Sequence, residues 1–179
     1  YLDDVSLQPV EASGQPGDAK PASASLVYQQ SFDMDASLEG WQVVSGDWSI
    51  RDQALHGKGR GIIIYTGQGA DSPNMRMEYT TWASQQPADL SALLAVNEPA
   101  PWGKLQGYFF GFGSRHNTTN TILRLAGGST TLASQGGDLQ TLEHGIIPGK
   151  RHRVVIQRIH NELQMFVDGK RVLEAHDML

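Results

Sequence analysis

The chain has 179 residues, 39% hydrophobic and 18% charged, with 20 glycines and no cysteine. That length can bury one sizeable core without staples, and the lack of thiols excludes disulfide frameworks, thiolate zinc sites and cysteine nucleophiles. A formal charge of -5 leaves no basic stripe for phosphates, which argues against nucleic acid and anionic membrane surfaces as partners, and no apolar run is long enough to insert as a membrane span.

Helical periodicity is nearly absent. Short alternating or apolar runs closed by Gly, Asn, Asp and Pro recur instead, the habit of an antiparallel sandwich of roughly ten or eleven strands. Tyr1 to Leu7 reads as a strand, and residues 1–10 as the closing strand of a β-sandwich, either of a preceding domain or permuted into this one. Residues 11–25 (EASGQPGDAKPASAS) read as a linker, because Gly, Pro, Ala and Ser bury too little surface to offset their ordering entropy. Residues 26–179 then carry the sandwich pattern: LVYQQSF, GWQVVSG, DWSIRDQALHG, GIIIYTG, MRMEYTTW and LSALLAVN, followed by a loop with Trp102. The pair LQGYFFGFG and TNTILRL comes next, then RVVIQRIH, ELQMFVDG and KRVLEA. Asp168-Gly169 marks a two-residue hairpin turn, since that turn type needs positive φ at both positions.

Phe32 with Asp33, Gly40-Trp41, Gly46-Asp47-Trp48-Ser49-Ile50, Ala54-Leu55-His56-Gly57 and Met165-Phe166-Val167-Asp168-Gly169-Lys170 form an ordered series. That series resembles the layout of concanavalin A-like and laminin G-like jelly rolls from about Leu26 onward. The resemblance implies an all-β, antiparallel, two-sheet jelly-roll sandwich. It also implies a further Gly-rich strand and a closing strand beyond Asp177-Met178-Leu179, so the sandwich is expected to lack its last strands. Tyr1-Leu2-Asp3-Asp4-Val5-Ser6-Leu7 resembles that closing strand, which makes this segment or the open sandwich edge a pairing surface for another chain or domain. In carbohydrate-binding modules such strands contribute to a structural calcium site, which implies Asp4 with Asp33, and the neighbouring Asp3 and Asp35, as hard oxygen ligands; the alternative is solvated aspartates.

Alternation along Met75 to Trp82 puts Met75, Met77 and Tyr79 on one face and Arg76, Glu78, Thr80 and Trp82 on the other. The second face is polar with an aromatic, as a sugar groove requires: rings stack on pyranose faces, while guanidinium and carboxylate groups bond hydroxyls. Gly107, Gly111 and Gly113 share a face with Phe109, which suggests close approach by a ligand, by tryptophans of adjacent strands, or a bend in the sheet. The loop Arg115-His116-Asn117-Thr118-Thr119-Asn120, with Arg124 beyond it, is dense in bidentate donors and amides suited to vicinal hydroxyls. It reads equally as a polar hairpin loop, and Asn117-Thr118-Thr119 also fits a glycosylation acceptor. Trp102 is either a stacking platform or a loop anchor, and Trp41 and Trp48 read as core.

Catalysis by a glycosidase needs two carboxylates at a set separation. The E-x-D-x-x-E strand motif of the sandwich glucanases is absent, leaving Glu78 and Glu98 between strand and loop, with Asp71, Asp89 and Glu143 nearer turns. An enzyme on this scaffold, a glycoside hydrolase or polysaccharide lyase, would draw on Glu78, His116 and Tyr108. The leading expectation is a lectin-like module for an oligo- or polysaccharide, within a secreted, periplasmic or cell-surface bacterial protein. Its ligand-binding candidates are Arg76, Trp82, Trp102, Arg115, His116, Asn117, Asn120 and Arg124. A structural or adhesion domain is the third class.

Overall fold

The computed structural model describes residues 2–9, 28–33, 36–67, 74–85, 88–96, 98–136 and 145–178, without the side chains of Asp4, Pro9 and Arg60. The linker read over 11–25, and Tyr1, Asp35, Asp71 and Glu143, lie outside the described residues. The strands are β1 (Leu2–Pro9), β2 (Tyr28–Gln30), β3 (Trp41–Arg51), β4 (Ala54–Tyr65), β5 (Met75–Thr81) and β6 (Ala92–Leu94). They continue as β7 (Gln106–Gly113), β8 (Thr119–Ala126), β9 (Ser129–Gly136), β10 (His152–Ile159), β11 (Glu162–Val167) and β12 (Lys170–His176). Two antiparallel sheets result: an eight-stranded one in the order β12-β11-β10-β5-β1-β4-β3 with β2 on β1, and a four-stranded one in the order β6-β7-β8-β9. The protein is an all-β, two-sheet sandwich, as its composition and alternation imply.

Alternation decides which side chains enter the core. In the larger sheet Leu7, Met77, Ile156, Met165 and Leu173 form one cross-strand row. All but Met77 are buried, facing Phe110, Phe112 and Ile122 of the smaller sheet in one core. Each fully buried side chain of this size contributes roughly 1.5–3 kcal/mol. The adjoining row, Gln8, Arg76, Gln157, Gln164 and Glu174, points the other way and makes the sheet's outer face.

β1 is an interior strand, hydrogen-bonded to β5 on one edge and to β2 and the start of β4 on the other. A register shift between Asp3 and Ser6 lets Leu2, Val5 and Leu7 all turn inward despite their uneven spacing. With both its edges occupied, Leu2 to Leu7 presents no free edge to another chain. Among the described strands the free edges belong to β12, β3, β2, β6 and β9.

Three boundaries differ from the sequence pattern. GWQVVSG and DWSIR are one strand, and ALHG and GIIIY another, because the turn falls at Asp52-Gln53, both with positive φ (52° and 58°). Gly46 becomes a bulge inside β3, with φ 81° and no room for a side chain, since a β-carbon there would collide with the Gly61 α-carbon. β9 is absent from the hydrophobic pattern because STTLASQG is a largely solvent-exposed edge strand, held to β8 by backbone bonds. The Asp168-Gly169 turn forms as expected, with φ 51° and 81°.

Candidate functional site

The long β3–β4 hairpin stands beside the short β6, and the gap between them is a cleft of about 750 Å³. Its principal feature is Trp48. The indole lies flat on β4: a β-carbon added to Gly57 would come 2.7 Å from the ring, and one added to Gly61 2.8 Å. Glycine at both positions is therefore a steric requirement, and alanine at either forces the ring to move. The indole N–H donates to the Ser45 carbonyl at 2.9 Å, which fixes the in-plane orientation. One face is thus taken by the glycines, and the remainder of the ring lines the cleft.

Trp102, on a single 3-10 turn, stands at the cleft with 45% of its surface exposed, edge-on to Phe109 at 5.0 Å. Trp41 also contributes to the wall but is anchored, its N–H donating to Tyr28 Oη at 2.7 Å within a cluster of Tyr28, Phe32 and Tyr65. The polar wall is Asp89 and Ser91, whose carboxylate and hydroxyl are hydrogen-bonded. Solvent reaches Asp89 through the cleft, but surrounding protein raises its carboxyl above the ordinary aspartate value, partly offset by the Ser91 hydroxyl and N–H. Asp89 is the one carboxylate among the described residues of the lining. Size, apolar walls and a few convergent polar groups match the usual form of a small-ligand site.

Of the ligand-binding candidates from the sequence, Trp102 alone belongs to the cleft, joined there by Asp89 from the carboxylates. Arg76 and Glu78 sit on the outer face of the larger sheet, as alternation predicts. Glu78 takes Arg76 Nη2 at 3.2 Å on one oxygen and Arg153 at 2.6 Å on the other. Trp82 follows β5 at the edge of that surface, with the Arg151 guanidinium 4.3 Å over its ring and Arg151 paired to Asp3 at 3.6 Å.

The loop after β7 corrects the sequence reading. Arg115, His116 and Asn117 all have positive φ (52°, 63° and 60°), a left-handed run that non-glycine residues seldom adopt. Buried amides hold it. Asn117 Nδ2 donates to the Ile146 carbonyl at 2.9 Å while its Oδ1 accepts the Ile146 N–H at 3.0 Å, and Asn120 Oδ1 accepts the Gly113 N–H at 3.0 Å. Asn117 and Asn120 are 1% and 0% exposed, so neither faces a ligand, and the Asn117 amide is closed to glycosylation. Arg115 and His116 remain exposed at the tip.

Arg124 is also claimed internally. It bonds the buried Asp177 at 2.6 Å, whose other oxygen accepts Tyr108 Oη at 2.9 Å, and Arg158 covers the Tyr108 ring at 4.9 Å. Burial, followed by the Asp177 bond, raises the Tyr108 phenol above its ordinary value. Tyr108 and His116 stand at opposite ends of β7, and Glu78 lies on the outer face of the other sheet, so the three catalytic candidates do not converge. The glycines of β7 meet the chain's own atoms: a β-carbon on Gly107 would lie 2.8 Å from the Ala95 carbonyl, and one on Gly111 would meet Ser114 and Thr121. Of the calcium pair, Asp33 is exposed and accepts the Ser31 hydroxyl at 2.8 Å, while Asp4 has no described side chain. No three His, Asp or Glu side chains converge among the described residues.

Trp48 is what sequence reading missed. Its signal is the spacing of Gly57, Gly59 and Gly61 opposite a tryptophan, visible only once the hairpin register is known.

A solved structure of the carbohydrate binding module CBM66 from Bacillus subtilis has the same fold, with a TM-score of 0.60 and 16% sequence identity, over 78% of this chain and 81% of that one. No family model matches the sequence, and no curated protein does. At that identity the likeness is one of architecture, and it agrees with the two-sheet β-sandwich seen here.

Proposed function

We propose that this domain is a non-catalytic carbohydrate-binding module, of the concanavalin A-like type, within a larger secreted or cell-surface bacterial protein. It holds a neutral oligo- or polysaccharide in the cleft between the β3–β4 hairpin and β6. The observation that carries this reading is the Trp48 indole, laid on Gly57 and Gly61 and fronting the cleft. A rigid aromatic ring offers a flat apolar surface to the C–H face of a pyranose or furanose at little conformational cost. Trp102 supplies a second ring at the cleft, and Asp89 and Ser91 accept and donate hydrogen bonds to sugar hydroxyls. Acid–base hydrolysis would need a second carboxylate facing Asp89 across the sugar. The fold likeness to a carbohydrate binding module supports the same class of ligand.

The test is a glycan array on the purified domain, with reducing-sugar release and ultraviolet absorbance of unsaturated products measured on every hit. Binding to one family of neutral glycans without turnover, lost in Trp48→Ala and weakened in Trp102→Ala, is the expected result. Turnover of any hit, or binding that survives both substitutions, would overturn the reading.

A further inference from the structure

The outer face of the larger sheet carries a second, smaller recess of about 240 Å³, lined by Arg76, Arg153, Val155, Phe166 and Gly169. Its floor is apolar: Val155 and Phe166 are cross-strand partners on β10 and β11, and Gly169 of the following turn adds no side chain. Its rim is cationic. Arg76 and Arg153 share a single carboxylate, Glu78, so two guanidinium charges face one anion. Arg153 has 63% of its side chain exposed, and its long arm leaves donors free for a ligand beyond the Glu78 bond.

Beside the recess runs a row of amides with one direction. Gln164 Nε2 donates to Glu174 at 3.1 Å, Gln157 Nε2 donates to Gln164 at 2.7 Å, and Arg76 Nη1 donates to Gln157 at 3.4 Å. Each residue is held by its neighbour, so the row is a fixed set of polar groups on four adjacent strands.

We propose that this recess is a binding site for the carboxylate of an acidic sugar, a uronic acid residue of an oligosaccharide, separate from the cleft. The sugar ring covers Val155 and Phe166, its hydroxyls meet the Gln157 and Gln164 amides, and its carboxylate is taken by the Arg153 and Arg76 guanidinium groups in place of their shared bond to Glu78. Planar guanidinium forks suit a carboxylate, and the surplus positive charge favours an anion over a neutral sugar. Glu78 is then a competitor: it occupies both guanidinium groups in the free protein and repels the incoming anion.

The experiment is an NMR titration following backbone amides and arginine Nε–H signals. The probes are a tetramer of galacturonic acid, its methyl-esterified neutral counterpart, and sodium acetate and sodium sulfate as free anions. The acid tetramer is expected to shift the Arg76 and Arg153 signals and the amides around Val155 and Phe166. The ester is expected to bind at least about tenfold more weakly, since it lacks the charge-assisted bonds. Arg153→Gln should weaken the acid tetramer by a similar factor, with Arg153→Lys between, because lysine keeps the charge without the fork. Glu78→Gln should tighten it by about threefold or more, an outcome that a merely structural Glu78 would not produce. Equal shifts from acetate or sulfate, no preference for acid over ester, or weaker binding in Glu78→Gln would each overturn the proposal. Neutral glycan binding in the cleft is expected to be unchanged in Arg153→Gln, so failure of one site is distinguishable from failure of the other.

Discussion

The cleft and the outer face of the larger sheet are both products of strand alternation, yet they are assembled over different ranges. On the outer face each polar residue is displayed by its own strand, and register merely lines Arg76, Gln157, Gln164 and Glu174 into a row. In the cleft nothing is displayed by one strand alone. Trp48 is a platform only because β4 removes its side chains at Gly57 and Gly61, and the space in front of it exists because β6 is three residues long and belongs to the other sheet. The outer face should therefore keep its stability under single changes, while the cleft should lose both stability and binding when its platform is altered.

Trp48→Ala is the sharpest way to break that contrast. It removes a large, half-buried ring and leaves two glycines facing a void, so a stability loss of about 2–3 kcal/mol is expected in chemical denaturation, together with loss of neutral glycan binding. Gly61→Ala sharpens it further: the added methyl displaces the ring, and binding should fall with a smaller loss of stability. Equal glycan affinity in Gly61→Ala and the parent would remove the platform from the mechanism.

Asn117→Ala comes next, with an expected loss of about 2 kcal/mol, because the Ile146 N–H and carbonyl both lose their partner in a buried place. The exposed neighbour Arg115→Ala should stay within about 0.5 kcal/mol. If the two variants melted alike, the loop would not be held by its buried amide.

A pH series addresses the same end of the sandwich. His152 is fully buried, accepts the Ile147 N–H on Nε2 at 3.4 Å and faces Asp168 through Nδ1 at 3.1 Å, an arrangement for the neutral ring. Burial lowers its pKa below 6.5, outweighing the opposite pull of Asp168. The unfolded chain therefore binds the proton first, and stability present above about pH 6.5 is lost as the pH falls below it. Asp168 shifts down overall: burial alone would raise it, but Lys150, the Arg153 N–H and His152 prevail, so its contribution is lost only in the acid range beneath the ordinary aspartate value. Melting temperatures from pH 8 to 5 should fall on the acid side of that range, and His152→Gln should flatten the slope. A flat profile in the parent would mean that the ring titrates alike in the folded and the unfolded chain.

The smallest effect is expected on the outer face. Gln157→Ala breaks two links of the amide row in half-exposed surroundings and should cost no more than about 1 kcal/mol. A larger loss would make the row a structural element comparable with the cleft.

What was legible in the sequence follows the same division. The faces of β5, the Asp168-Gly169 turn and the sandwich architecture depend on period and turn chemistry, which are local. The role of Asn117 was hidden because an asparagine in a polar loop looks alike whether it faces water or folds back on Ile146. Trp48 reads as core because tryptophan in a strand usually is; its freedom depends on where a strand of the other sheet stops. Arg124 reads as a ligand donor because Asp177, its partner, lies 53 positions away.

β1 has a consequence for how the fold is reached. The first described strand lies in the middle of the larger sheet, and one of its edges is satisfied only by Met75–Thr81. In kinetic terms, β1 precedes β5 in the chain and carries an apolar face with an unpaired edge until β5 is available. Closing so long a loop before any long-range contact forms is slow for β-rich topologies and leaves that edge open to other chains in the interval. Refolding at high concentration should therefore lose material to association through Leu2 to Leu7, a segment that presents no free edge once the sandwich is complete.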